Sequence, residues 1–287
     1  MELKAFAGDE HLPFRIDGDG SLALLLIHGF PGTPAEMRPI RELVRHSGIT
    51  IEAPLLPGFG HQISTIANRT RHEWIKTVEE SLSRLRLTHR RVILTGFSMG
   101  GALAIHAAAG DSPPDHLLLL APFWQLGERW HQPLWPLVRL LMPEFKPFAR
   151  ANLDDPQVQK DLRRSMPDAD LNDSETREAI RRLAIPVGVI DQLRSLGREA
   201  WKIAPRLSVP ITIVQGSRDQ IVPPHTTRRL VKRIGVVSSY LEVDAEHQLI
   251  DPTNQSWREI AGTLLDLIEQ FRTDVGHQAL CDLDIYE

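Results

Sequence analysis

The segment from Arg91 to Ala109 constrains the fold of this chain more than any other. Arg91-Val92-Ile93-Leu94-Thr95 is a short apolar and β-branched run, the composition of a buried strand. It leads directly into Gly96-Phe97-Ser98-Met99-Gly100-Gly101, and Ala102 to Ala109 then read as a helix. A serine on so sharp a turn is forced into strained backbone, and its neighbours must lack bulk so that strand and helix can approach closely. Gly96 and Gly100 meet that need and complete a G-x-S-x-G pattern in the strand-to-helix setting that gives it meaning. A helix starting near Met99 also aims its free N–H groups and positive dipole end at the space beside Ser98.

The same alternation extends along the chain. Leu22 to Ile27 is an all-apolar run, expected as a strand covered on both faces, and it stops at the turn His28-Gly29-Phe30-Pro31-Gly32. Ala35 to Ser47 carries Met37, Ile40, Leu43 and Val44 at helical spacing, Thr50 to Ala53 reads as a strand, and helix returns at about His72 to Leu85. Leu117 to Ala121 is a further buried strand. After a gap the pattern resumes with strands at Val209 to Gln215 and Ser239 to Val243 and helices at Thr226 to Ile234 and Trp257 to Phe271. This rhythm predicts an α/β fold, a mostly parallel central sheet with helices on both faces.

The gap, 122–205, is largely helical in pattern and starts with Trp124, Trp130, Trp135, Phe145 and Phe148 close together. We therefore expect a core of 1–121 and 206–275, a helical cap inserted at 122–205, and a peripheral acidic tail at 276–287. The aromatic start of the insertion favours an apolar acyl or alcohol group in the ligand, although such residues more often pack cap against core.

The bulk composition removes several functions. The 287 residues carry a formal net charge of -4 and no basic stripe interleaved with aromatics, so nucleic-acid binding is not expected. Cys281 is the single cysteine, which excludes an intrachain disulfide and a multi-cysteine metal site and fits a reducing compartment. Residues Met1 to Phe14 do not resemble a secretory signal, and no apolar run nears the roughly 20 residues of a membrane span. A cytoplasmic location is the expectation. No H-x-x-x-H spacing or carboxylate pairing suggests a metal, and no cofactor is expected.

A serine hydroxyl is a weak nucleophile and needs a base, and the base needs an acid that fixes its tautomer. His247 suits the first role, since it follows the strand ending at Val243 and precedes the last helix. Asp219 suits the second, following Ile211 to Val214 through Gly216-Ser217-Arg218, in the chain order serine, acid, histidine. Asp219 as a simple turn cap is the bland alternative, and Asp244 is a rival acid placed badly, too near His247 in sequence to bridge it. An oxyanion pocket would take its two donors from the backbone N–H groups of Phe30 and Met99, leaving those side chains partly replaceable. His28 reads as a turn-stabilising residue rather than a second base. His61 is assigned no role, and His72, His89, His106, His116 and His131 have ordinary structural readings.

Taken together, His28-Gly29-Phe30, Gly96 to Gly101, Gly216 to Asp219 and Glu246-His247 resemble the α/β-hydrolase superfamily. Within it the chain is most similar to bacterial carboxylesterases and monoacylglycerol lipases. The resemblance spans the whole core and implies an eight-stranded sheet, no cofactor, Ser98, Asp219 and His247 as a catalytic triad, and Phe30 and Met99 as oxyanion donors. It implies hydrolysis of a small-molecule ester through an acyl-enzyme. Two alternatives share the pattern: a carbon-carbon bond hydrolase on the same triad, and a ligand-binding protein that keeps the fold without turnover. An aspartate-nucleophile mechanism is disfavoured because serine occupies the turn.

Overall fold

The computed structural model describes residues 6, 8–125, 144–146, 148–156, 158–159, 162 and 170–283. Nine strands are present among them: β1 Phe14–Ile16, β2 Leu22–Ile27, β3 Thr50–Ala53, β4 Arg91–Phe97, β5 His116–Leu120, β6 Glu144–Phe145, β7 Ile185–Pro186, β8 Ile211–Gly216 and β9 Val237–Val243. Seven of them form the central sheet in the order β1-β3-β2-β4-β5-β8-β9, with β6 and β7 paired separately. β1 runs antiparallel to β3, and every other neighbour in the central sheet is parallel.

Side-chain alternation in these strands builds two apolar layers. Ala23, Leu25 and Ile27 face one side of the sheet with Leu94, Leu117, Leu119, Ile211 and Ile213. Leu22, Leu24 and Leu26 face the other with Ile93, Leu118, Leu120 and Val214. Each layer is closed by helices, which explains why the strand sequences are continuously apolar rather than alternating.

The α-helices among the described residues are α1 Arg38–Val44, α2 Arg71–Thr88, α3 Met99–Ala108, α4 Ser174–Arg182, α5 Val187–Ile203, α6 Pro224–Ile234 and α7 Trp257–Leu283. α2 begins in a capping box, with the Thr70 N–H donating to Glu73 Oε2 at 2.7 Å and Thr70 Oγ1 accepting from the Glu73 N–H. Its Trp74, Val78 and Leu82 share the first layer with Leu103 of α3 and Leu196 of α5. Ile40 and Val44 of α1 and Ile260 and Leu264 of α7 close the second.

Three expectations are corrected. The central sheet has seven strands among the described residues, one fewer than the eight implied by resemblance. Just before β1, Asp9–His11 forms a 3-10 turn, whose buried His11 is bonded through Nδ1 to Thr33 Oγ1 at 2.8 Å. The helix expected over Ala35 to Ser47 starts as a 3-10 turn at Pro34–Met37 and is α-helical only from Arg38 to Val44. Pro34 and Pro39 have no N–H to donate. The last helix passes Phe271 and runs to Leu283, since no proline stops it and each added residue gains a hydrogen bond.

Between β5 and β8 the aromatic residues divide. Trp124 stacks on Trp201 of α5 with centroids 4.1 Å apart, donates from Nε1 to the Thr226 carbonyl at 3.0 Å, and lies 5.2 Å beneath the Arg229 guanidinium. That residue is packing. Phe148 joins a small cluster with Leu153, Leu162, Leu171 and Ile180, and Phe145 is exposed. Trp130, Trp135 and His131 lie outside the described residues. Among those described, no helix is long and apolar enough to cross a membrane and no group of His, Cys, Asp or Glu is gathered to hold a metal.

Candidate active site

The carboxyl ends of β2, β4, β8 and β9 meet at one edge of the sheet, Ile27 opposite Gly96 and Gly216 opposite Val243. Ligand sites of open parallel sheets form in the crevice outside such ends. Ser98 stands there at φ 52° and ψ −114°, a left-handed position rare for a residue with a side chain. Its strain is held by the surrounding hydrogen bonds. The Ser98 N–H donates to the Leu120 carbonyl at 2.9 Å, and its own carbonyl accepts from Gly101 and Phe123 at 2.9 and 3.0 Å. Both glycines are sterically required: a Cβ at Gly96 would meet the Gly100 carbonyl oxygen at 2.3 Å.

His247 reaches both partners expected for it. Its Nε2 lies 3.0 Å from Ser98 Oγ and its Nδ1 lies 2.7 Å from Asp219 Oδ2, all three residues being buried. A proton on Nδ1 donated to the carboxylate leaves Nε2 as an acceptor for the Ser98 hydroxyl. The histidine ring also leans against Phe97 at 5.2 Å. The loops carrying acid and base are joined through backbone, with Ser217 N–H donating to the Val243 carbonyl and Arg218 N–H to that of Ala245, at 2.8 and 2.9 Å.

Asp219 is oriented by donors on both oxygens. Oδ1 accepts the Ile221 and Val222 N–H groups, each at 2.8 Å, and Oδ2 accepts Gln215 Nε2 at 3.0 Å besides His247. Gln215 is in turn fixed by the Thr227 hydroxyl, which donates to its Oε1 at 2.6 Å. Sequence reading missed Gln215, whose position at the end of a buried strand was the available signal. Asp244 is 79% exposed and pairs with Arg218 at 3.0 Å, away from His247. His61 is exposed as well.

The turn after β2 lies against the serine. A Cβ placed on Gly29 would be 3.3 Å from Ser98 Cβ. His28 is fully buried, accepts the Leu56 N–H on Nε2 at 3.3 Å and donates from Nδ1 to the Gly29 carbonyl at 2.9 Å. Burial lowers its pKa to about 4, so it is neutral at pH 7 and braces the turn. Phe30 packs edge-on against Phe59 at 5.8 Å, while the Met99 side chain is 1% exposed in the core. Met99 is therefore less replaceable than expected. Its N–H, the first of α3, has no acceptor within the helix.

A family model described as serine aminopeptidase, S33, matches residues 21–250. The chain belongs to that family. This S33 α/β-hydrolase is 38% identical over 96 residues to a thermostable monoacylglycerol lipase of a Bacillus species, an alignment covering 33% of the chain and 38% of the relative. It is 29% identical over 94 residues to a carboxylesterase of Bacillus subtilis, covering 32% of the chain and 38% of the relative. The matched stretches thus span well under half of these two relatives. The solved structure of the Paleococcus ferrophilus monoacylglycerol lipase superposes with a TM-score of 0.68 at 17% identity, over 90% of this chain and 98% of that one. The seven-stranded, mostly parallel sheet is that of the α/β-hydrolase fold.

Proposed function

We propose that this S33 family member is a serine hydrolase of small carboxylic esters that acts through an acyl-enzyme. The observation that carries the reading is the continuous path from Ser98 Oγ through the His247 ring to Asp219 Oδ2, at 3.0 and 2.7 Å. Ser98 Oγ attacks the ester carbonyl as His247 Nε2 takes its proton, and Asp219 stabilises the imidazolium. His247 then protonates the leaving alkoxide. A water that gives its proton to Nε2 attacks the acyl-enzyme, and collapse returns Ser98 Oγ–H and the free acid.

The oxyanion of each tetrahedral intermediate is assigned to the Phe30 and Met99 amides. One such donor contributes about 2.7 to 4 kcal/mol of transition-state stabilisation in a preorganised site. Insertion 122–205 is assigned the part of a cap, although Leu193, Leu196 and Ala200 of its helix α5 share the core layer with α3. A mostly apolar cavity of about 320 Å³ is lined by Phe30, Ile63, Leu183, Ile185 and Pro186, with Ser64 and Arg182 also on its wall. It supports an apolar acyl or alcohol group more directly than Trp124, which is spent on packing. The names of the two Bacillus relatives agree with an ester substrate.

The test is a panel of p-nitrophenyl esters, a matched p-nitroanilide and a vinylogous diketone, run on the wild type and Ser98→Ala. Ester turnover that falls on the order of 10⁵-fold in the variant supports the reading. Diketone cleavage without ester cleavage contradicts it in favour of carbon-carbon bond hydrolysis, and preference for the anilide contradicts it in favour of peptide-type chemistry.

A further inference from the structure

Glu36 is a carboxylate beside the site that the reaction above does not use. It lies in the first turn after Thr33, where an acidic residue ordinarily faces solvent and complements the helix dipole. Here it folds back beneath the turn. Oε2 accepts the Gly29 N–H at 2.9 Å, and the carboxyl carbon fills the space a Cβ on Gly32 would occupy, 2.1 Å away. The point where a Gly29 Cβ would stand lies 3.4 Å from that same oxygen and 3.3 Å from Ser98 Cβ.

Gly29 is thus gripped at both polar atoms. Glu36 holds its N–H, and the His28 ring holds its carbonyl at 2.9 Å, the carbonyl of the very peptide that presents the Phe30 N–H. We propose that Glu36 is a positioning residue for the reaction at Ser98, fixing Gly29, whose carbonyl belongs to the peptide that offers the Phe30 amide, and supporting with its negative charge the imidazolium formed on His247. The proposal rests on the acyl-enzyme reading above.

Among the described residues, the Gly29 N–H and the charge of His247 are the groups that favour the ionised carboxylate. Neighbouring His28 is neutral at pH 7, His11 is engaged with Thr33, and Arg38 turns its guanidinium to the Asp9 and Glu10 carbonyls. Burial raises the Glu36 pKa to about 7, opposed by the Gly29 N–H bond and by the charge of His247. Below that value Glu36 is protonated and is the weaker acceptor. Above it, Gly29 gains a charge-assisted bond and His247 gains a counter-charge.

The experiment measures the rate of Ser98 modification by a fluorophosphonate across pH for the wild type, Glu36→Gln and Glu36→Ala, with thermal melts of each. Glutamine keeps an acceptor oxygen and the volume while removing the charge. The wild-type to Glu36→Gln rate ratio is expected to rise from near one at about pH 5 to about fivefold at about pH 8. Glu36→Ala is expected to be slower still, having lost the acceptor. A flat ratio across pH overturns the proposal, as does a Glu36→Ala variant that melts lower yet labels with the wild-type profile. A wild type that takes no label overturns the acyl-enzyme reading itself.

Discussion

A side-chain carbon on Gly100 would stand 2.2 Å from the carbonyl oxygen of Ile27, so α3 and β2 meet backbone to backbone directly behind Ser98. This contact sets the height of the serine over the sheet. It also brings the turn that follows Ile27 alongside the first N–H of α3, which is how two distant pieces of sequence come to flank one hydroxyl. Gly100→Ala is expected to force the two elements apart, lowering stability by about 1 to 3 kcal/mol, with activity falling further than stability because Ser98 moves. Urea midpoints read beside kcat/KM check this, and a variant with wild-type values for both contradicts it.

Asp219→Asn is expected to keep the fold and lose about 10³- to 10⁴-fold in kcat. The two N–H groups of Ile221 and Val222 will hold the amide oxygen in the Oδ1 position. The NH₂ group then faces His247 Nδ1, which must give up its proton to accept from it, leaving the proton on Nε2 where it blocks attack by Ser98. Gln215 Nε2 loses its acceptor at the same time. Steady-state kinetics with a circular dichroism melt separate this from unfolding.

Much of this arrangement is legible in the sequence because the signals are local. The run Leu22 to Ile27 can only be buried on both faces, and Gly96 and Gly100 around Ser98 announce a close backbone crossing. Asp219 and His247 follow strands that chain order places side by side. The misses are residues whose meaning depends on distant contacts. Phe14 to Ile16 has too few residues to show a period and becomes a strand by pairing with β3. Glu36 resembles any acidic residue at a helix start, and only the fold-back onto Gly29 distinguishes it. Trp124 and Trp201 are far apart in the chain, so their stacking, and hence the packing role of Trp124, cannot be read from composition.

The mostly apolar cavity lined by Phe30, which follows the Gly29 that abuts Ser98, predicts a dependence on chain length. Each buried methylene contributes about 0.8 kcal/mol, so kcat/KM for p-nitrophenyl esters is expected to rise about fourfold per carbon until the cavity is filled. Leu183→Trp, which narrows the cavity, is expected to abolish the rise while sparing the acetate ester. Equal kcat/KM across the series contradicts an apolar channel there.

Glu36 also bears on stability. Its carboxyl is harder to ionise in the folded chain than at its ordinary value of 4.5. The stability contributed by its protonated form is therefore full below that value and is lost as pH rises through about 7. Glu36→Gln, which cannot ionise, is expected to melt higher than the wild type at about pH 8 and to match it at about pH 4. An equal melting difference at both values contradicts the raised pKa of Glu36.

The central claim, that Ser98 is activated by His247 and Asp219, is tested most directly by peptide mapping after fluorophosphonate treatment of the wild type, Ser98→Ala and His247→Ala. The expected result is one adduct on the peptide carrying Ser98, absent in the first variant and formed on the order of 10³-fold more slowly in the second. Folded wild-type protein that carries no adduct, or an adduct that persists in Ser98→Ala, contradicts it.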